Sequence, residues 1–144
     1  MTDFAIEGYA SIFWTRDLND DVTAAGAFGE SLARSGPRGV KMLHQHDGAT
    51  PIGVWDEAFE DDKGLFVRGR ILAVTPQGRM AAALVRAGAL DGLSIGFRTV
   101  KSRPDDSRRL RVLTEIDLWE VSLVTFPMLP GARLRPLLPV GLQA

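Results

Sequence analysis

The sequence predicts a mainly β protein with flanking helices (α+β class), in which about seven strands form a closed or nearly closed antiparallel β-barrel. Two observations support this prediction. Runs rich in β-branched and aromatic residues recur along the 144 residues, separated by turn signals, whereas only one segment has clear helix boundaries. The apolar content of 45% and the length are sufficient for one domain with a buried core.

The first half of the chain predicts four strands and one helical turn. The helical turn covers residues 30–35 and stops at Gly36-Pro37, a strong breaker pair. Asp47-Gly48 is the expected turn after the second strand-like segment, and a turn at residues 60–64, which contains three acidic residues, connects a hairpin. The four segments with strand character are residues 4–13, 40–46, 52–59 and 65–72.

The clearest helix is predicted from Thr75 to about Ala87. Thr75 is suited to the N-cap, Pro76 to the first helical position and Gly88 to the C-terminal stop. At helical spacing three apolar residues share one face, which we expect to pack against the core. These three residues are Met80, Leu84 and Ala87.

The rest of the chain predicts two long extended regions and a tail. A strand begins near Leu93 and ends at a turn over residues 103–107. Residues 110–126 form either two strands or one bent strand. We expect a folded domain over residues 1–126 and a Pro-rich, irregular C-terminal tail over residues 127–144.

Composition excludes several classes of function. The 17 basic residues are balanced by 18 acidic ones, so no electrostatic signal for nucleic-acid binding exists. The absence of cysteine excludes disulfides, thiolate metal sites and a cysteine nucleophile. The first residues lack the features of a secretory signal, and no apolar run reaches membrane-spanning length. We therefore expect a cytoplasmic protein with no membrane partner.

Ser94 is a candidate nucleophile. It is a small hydroxyl residue between two large apolar residues, and Gly92 and Gly96 remove side chains from its surroundings. A serine nucleophile needs open space for a peptide carbonyl and backbone N–H groups to bind the oxyanion. Taken alone, the segment favours the alternative that Ser94 is a small residue packed in the barrel interior, because strand serines are common.

His44 and His46 are the only histidines of the chain. Two apart on a predicted strand, they share a face and would suit a metal, but Asp47 points to the opposite face and no third ligand is evident. Two other interpretations remain open. In one, the two histidines are surface or capping residues at a strand end; in the other, His46 acts as a general base beside a nucleophile.

Glu120 is a charged residue within an otherwise apolar strand. Alternation places it on one face with Ser122, which is a rival candidate nucleophile. A half-buried carboxylate needs a partner. Arg98 or Arg111 would give a structural ion pair, whereas a histidine ring would give a catalytic arrangement in which the carboxylate fixes the tautomer.

Several motifs, in a fixed order along nearly the whole chain, carry a resemblance to a known family. They are residues 8–13 (GYASIF), 26–28 (GAF), 40–47 (VKMLHQHD), 51–53 (PIG), 64–65 (GL), 87–97 (AGALDGLSIGF) and 118–127 (LWEVSLVTFP). As a set they resemble the prohead, or capsid maturation, serine proteases of tailed phages, prophages and gene transfer agents.

The resemblance implies a barrel fold similar to the herpesvirus assembly protease, and an enzyme without cofactor or metal. It implies that Ser94 is the nucleophile, His46 the general base and Glu120 the orienting acid. The implied substrate is the scaffolding or N-terminal region of the major capsid protein, cleaved within the assembling procapsid in the bacterial cytoplasm. Self-cleavage and self-association stay open. The alternatives are a non-catalytic capsid-assembly module of the same fold that binds coat protein, and a small metal-binding barrel that uses His44 and His46.

Overall fold

The computed structural model of the chain describes residues 3–137. This part of the chain contains eight strands and two α-helices, with a 3₁₀ turn at Pro37–Gly39 between α1 and β3. The elements are β1 (Phe4–Ile12), β2 (Asp21–Thr23), α1 (Gly29–Ser35), β3 (Lys41–His44), β4 (Asp47–Glu60), β5 (Gly64–Ile71), α2 (Pro76–Arg86), β6 (Gly92–Asp105), β7 (Leu110–Val124) and β8 (Leu134–Pro136). The mainly β class with a few helices is as predicted.

All eight strands belong to one curled sheet. Seven follow the order β2-β7-β3-β4-β5-β1-β8, and β6 pairs with β7 outside this path. The antiparallel prediction is wrong at two pairings, because β2 and β3 both run parallel to β7. The long strand β7 therefore pairs with three other strands. Of these, β6 carries Ser94, and β3 leads into His46.

The predicted closure into a barrel is wrong, because the sheet is open. β8 approaches the start of β6, where Gly92 and Arg133 form an isolated bridge. The Leu93 N–H donates to the Ala132 carbonyl, and the Leu134 N–H to the Asp91 carbonyl, both at 2.9 Å. β8 is only three residues long, and it already pairs with β1. It is too short to continue the ladder between β1 and β6.

The core centres on Trp55. This side chain is completely buried, and its indole N–H donates to the Val121 carbonyl at 3.2 Å. The bond satisfies the polar atom of a buried indole and ties β4 to β7. Other large, completely buried side chains come from several elements: Phe28, Ile6, Met42, Ile52, Leu65, Ile71, Leu90, Leu93, Leu113, Ile116 and Leu123.

Helix α2 begins where the sequence predicted, but it packs through a different face. Thr75 is the N-cap, and its side chain accepts a hydrogen bond from the Gly78 N–H at 2.9 Å. The face expected in the core is exposed, since Met80 is 51% exposed and Leu84 and Ala87 are also exposed. The helix packs instead through small residues, because these allow its backbone to approach the sheet closely. The buried residues of the helix are Gly78, Ala81, Ala82 and Val85.

The segment after residue 126 is more ordered than the expected irregular tail. Ala132 is completely buried, and β8 pairs antiparallel with β1. The Arg135 guanidinium binds the Glu7 carboxylate, which is buried and also accepts a 3.0 Å bond from Arg68. Residues 138–144 of the expected tail lie outside the described residues.

Within residues 3–137, neither α1 nor α2 has the length and apolar character needed to cross a bilayer.

Candidate active site

His46 lies in a tight turn and not in a strand. Gln45 and His46 connect β3 to β4, and the flanking residues His44 and Asp47 pair with each other. Both turn residues have a positive φ, 54° and 62°, as in a type I′ hairpin turn. The predicted turn at Asp47-Gly48 is wrong, because these residues begin β4. Since neither turn residue is glycine, each left-handed conformation costs on the order of 1 kcal/mol or more.

Strand β7 and the residue that follows it, Thr125, hold this strained turn in place. The Gln45 N–H donates to the Leu123 carbonyl at 2.9 Å. The Gln45 side chain accepts from the Thr125 N–H at 3.1 Å and donates to the Thr125 hydroxyl at 2.6 Å. The His46 N–H donates to the Ser122 hydroxyl at 3.1 Å. These bonds fix the backbone from which the His46 ring projects.

The His46 ring is bound to Glu120. Its Nδ1 lies 2.9 Å from Glu120 Oε1, with the histidine side chain 43% exposed and the glutamate side chain 13% exposed. The carboxylate therefore binds a histidine and not the arginines considered from the sequence. Arg98 approaches Asp117 at 3.9 Å, and Arg111 forms two bonds to Asp21 at 3.0 and 3.1 Å.

Ser122 is unsuited to the nucleophilic role considered from the sequence. Its side chain is completely buried, so a peptide cannot reach it. Its hydroxyl donates to Glu120 Oε1 at 2.5 Å and accepts from the His46 N–H. This serine is part of the support of His46 and Glu120.

Gly96 makes room for the Glu120 carboxylate, a role that the sequence analysis missed. The two residues pair across β6 and β7. A Cβ at position 96 would lie 2.5 Å from Glu120 Cγ and 2.7 Å from Cδ, far inside normal contact distance. The strand register was the missing signal, because only the pairing of β6 with β7 shows that Gly96 faces Glu120.

Ser94 lies on β6, paired with Ser122 of β7, and is 6% exposed. It lines a cavity of about 120 Å³ together with His46. Among the described residues the Ser94 hydroxyl makes no hydrogen bond to His46, although the two residues line one cavity. The other side chains around this cavity include Leu93, Phe97, Leu113, Met128, Leu129, Asp17 and Asn19.

Two aspartates near these residues have perturbed pKa values. Burial raises the pKa of the Asp17 carboxyl, although it accepts hydrogen bonds from the Asn19 and Asp21 N–H groups. The Thr50 hydroxyl and the Ala49 N–H bind Asp47 and lower its pKa. Asp47 is thus occupied within its own strand, which leaves Glu120 as the carboxylate bound to His46.

The metal-binding alternative gains no support from the geometry. His44 is at the end of β3, whereas His46 is in the turn and reaches Glu120. In residues 3–137, no three His, Cys, Asp or Glu side chains are grouped so that they could bind a metal ion.

The sequence matches that of known phage proteases. The pattern of the caudovirus prohead serine protease family matches residues 1–138. The prohead protease of Enterobacteria phage HK97 is 39% identical over 126 residues, which are 84% of this chain and 54% of that protein. The prohead protease of Escherichia phage T5 is 28% identical over 123 residues, 85% of this chain and 57% of that protein. The chain thus spans about half the length of the curated relatives it matches.

The fold is similar to that of solved viral proteases. The capsid assembly protease of bacteriophage T4 aligns with a TM-score of 0.65 at 16% identity, over 83% of this chain and 80% of that one. KSHV protease, solved with a hexapeptide phosphonate inhibitor, aligns with a TM-score of 0.63 at 14% identity, over 96% of this chain and 66% of that one. The expected likeness to herpesvirus proteases is confirmed at the level of the fold. By the match over residues 1–138, this chain belongs to the caudovirus prohead serine protease family.

Proposed function

We propose that this chain is a serine endopeptidase that uses Ser94 as nucleophile, His46 as general base and Glu120 as orienting acid. The observation that carries the proposal is the 2.9 Å contact between His46 Nδ1 and Glu120 Oε1, on a ring that shares a cavity with Ser94. A carboxylate on Nδ1 leaves Nε2 to accept a proton, as acyl transfer from a serine requires. Family membership supports the same chemistry.

The reaction follows from these roles. When a peptide binds, the Ser94 hydroxyl comes within reach of Nε2, a contact that is often long in a free enzyme. Oγ attacks the peptide carbonyl while His46 takes its proton, and the imidazolium then protonates the leaving amine as the C–N bond breaks. His46 next deprotonates a water, which attacks the acyl carbonyl and returns Ser94 to its hydroxyl form. Backbone N–H groups near Gly96 and Phe97 are candidates for the oxyanion donors.

The proposed substrate is the scaffolding or N-terminal region of the major capsid protein, and the proposed place is the assembling procapsid in the bacterial cytoplasm. The supporting observations are the names of the relatives, which are prohead proteases of phages. Confinement within a procapsid raises the local concentration of substrate, so weak intrinsic affinity would suffice.

Coexpression with the coat protein of the same genetic element tests the proposal. Intact masses of the coat protein would be compared for wild type, Ser94→Ala, Glu120→Gln and the control Ser31→Ala, a buried serine of α1. We expect trimming with wild type and Ser31→Ala, slower trimming with Glu120→Gln, and none with Ser94→Ala.

Three other outcomes would change the proposal. Trimming that persists with Ser94→Ala would show that another residue is the nucleophile. Particles that assemble without trimming in any sample would favour a non-catalytic capsid-assembly module. Loss of mass from the protease itself would show that self-cleavage belongs to its activity.

A further inference from the structure

We propose that Ser122 is a positioning residue, which holds His46 and Glu120 in one closed ring of hydrogen bonds and thereby sets the tautomer of the His46 imidazole. The proposal rests on the proposed function, because it assumes that His46 acts as the base for Ser94. It goes further by assigning a role to a residue that does not touch substrate.

The ring of hydrogen bonds begins and ends at His46. The His46 backbone N–H donates to Ser122 Oγ at 3.1 Å. Ser122 Oγ lies 2.5 Å from Glu120 Oε1. The same carboxylate oxygen lies 2.9 Å from Nδ1 of the His46 ring. One hydroxyl therefore connects the backbone and the side chain of the same histidine through Glu120.

The directions of the three bonds follow from the His46 backbone N–H and from the Glu120 carboxylate. A backbone N–H only donates, so Ser122 Oγ is an acceptor there and its own proton is available for Glu120. An ionised Glu120 Oε1 accepts from the serine and must accept from the histidine as well. Nδ1 of His46 is then the protonated nitrogen, and Nε2 is left as the acceptor that Ser94 requires.

Burial and register strengthen this assignment. Ser122 is completely buried, so water does not compete for its hydroxyl. It pairs with Ser94 of β6 on one side and with Leu43 of β3 on the other. The residue thus lies between the strand of the nucleophile and the strand that leads into the turn of the base.

Ser31 provides a matched control for a purely structural serine. It is also buried, its hydroxyl accepts from the Leu118 N–H of β7 at 2.9 Å, and it lies 3.4 Å from the Asp117 carboxylate. Both serines therefore join a backbone N–H to a carboxylate of β7. Only Ser122 joins them at His46, so a difference between the two alanine variants isolates the positioning role.

The first experiment measures the reaction of Ser94 with a fluorophosphonate probe by intact mass. Ser94 Oγ attacks phosphorus, the P–F bond breaks, fluoride leaves and His46 takes the serine proton. We expect Ser122→Ala to slow the reaction about 10- to 100-fold, the range known for partners that orient metal-bound histidines, while Ser31→Ala stays within about twofold of wild type. Both variants should lose comparable thermal stability. Equal reaction rates in the two variants would overturn the proposal.

The second experiment reads the tautomer directly by ¹⁵N NMR of the two histidines at alkaline pH. We expect the Nδ1–H form at His46 in wild type and in Ser31→Ala, and a mixture of tautomers in Ser122→Ala. An Nε2–H form in wild type would refute the proposed cycle of hydrogen bonds. This measurement needs no activity, so it decides the role of Ser122 even when the probe leaves Ser94 unmodified, a result that would count against the proposed function.

A double variant completes the test. Since Ser122 is proposed to act through Glu120 and His46, adding Ser122→Ala to Glu120→Gln should slow the reaction by much less than it does in wild type. Fully multiplicative effects of the two substitutions would show that Ser122 acts independently of Glu120, contrary to the proposal.

Discussion

Replacing Gly96 by alanine should disable the site, although none of the three proposed catalytic residues is itself replaced. The new methyl group would lie 2.5 Å from Glu120 Cγ and 3.0 Å from Glu120 Oε2, whereas carbon atoms in contact are normally about 3.5–4.0 Å apart. β6 cannot move away, because it is paired with β7 along most of its length. The Glu120 side chain must therefore rotate, and its 2.9 Å contact with His46 is lost.

The size of the effect follows from the bonds that are broken. A hydrogen bond to a charged group contributes about 1.5–3 kcal/mol. If losing the bond between Glu120 and His46 removes about 3 kcal/mol of transition-state stabilisation, kcat falls roughly 100-fold, since each 1.36 kcal/mol is a factor of ten in rate. Overpacking in a well-filled site costs about a further 1–3 kcal/mol of folding stability. The variant should therefore lose activity even at temperatures at which it is still folded.

The assay is the rate of Ser94-dependent cleavage, measured with thermal unfolding of the same samples. Gly48→Ala is the matched control, because it is two residues from His46 and a Cβ there has no atom within 4 Å. Cleavage by Gly96→Ala at the rate of Gly48→Ala would refute the reasoning. So would a crystal structure of the variant in which Glu120 keeps its contact with His46.

Three further predictions concern the support of the fold. Burial alone would raise the pKa of Glu7, but the bonds from Arg135 and Arg68 outweigh burial and lower that pKa. The stability that these bonds provide is therefore present at neutral pH and is lost as the pH falls through the folded-state pKa of Glu7. Glu7→Gln should flatten the decline of Tm below about pH 4.3, and an unchanged decline would contradict this. Gln45→Ala should destabilise the chain by about 1–3 kcal/mol in urea unfolding, because the Thr125 bonds that hold the strained turn are lost, and an unchanged midpoint would show that the turn needs no support. Ala82→Leu should lower Tm by overpacking the buried face of α2. Met80→Lys, on the exposed face, should change the free energy of unfolding by less than about 0.5 kcal/mol. A larger loss of stability from Met80→Lys than from Ala82→Leu would show that the other face of α2 packs against the sheet.

Local patterns were sufficient to predict most elements but not how they pack. The signals at Thr75 and Pro76 located the start of α2, because caps depend on neighbouring residues only. Met80 and Leu84 suggested the wrong buried face, because helical spacing shows which residues share a face and not which face meets the sheet. The small residues of α2 are the ones that fit against the sheet, and this depends on distant parts of the chain.

Long-range pairing also explains the errors at the two ends of the sheet. β8 ends in Pro136 and lies in a segment without periodicity, so nothing local predicts a strand. It forms because β1 offers a free edge and because Glu7, buried on β1, needs Arg135 as a partner. The same shortness of β8 leaves the barrel open, although the number and character of the strands suggested closure.

The residues of the candidate site were identified from motifs, but their arrangement was accessible only through the register of β7. The alternating pattern predicted that His46 is a strand residue on the same face as His44. In the structure Gln45 and His46 form a turn with positive φ, so the His46 ring does not follow the alternation of the strand. That turn is stable only because Ser122 and Leu123 of β7, together with Thr125 just after the strand, supply its hydrogen-bond partners.

A single central strand thus determines the geometry of the whole site. β7 carries Glu120, supports the turn of His46 and pairs with β6 at both Ser94 and Gly96. Because β7 is hydrogen-bonded to strands on both sides here, a shift of one residue in its register would exchange the faces of Glu120 and Val121 and separate Glu120 from His46. The site therefore depends on one register, which substitutions throughout β3, β6 and β7 can disturb even when they lie far from Ser94.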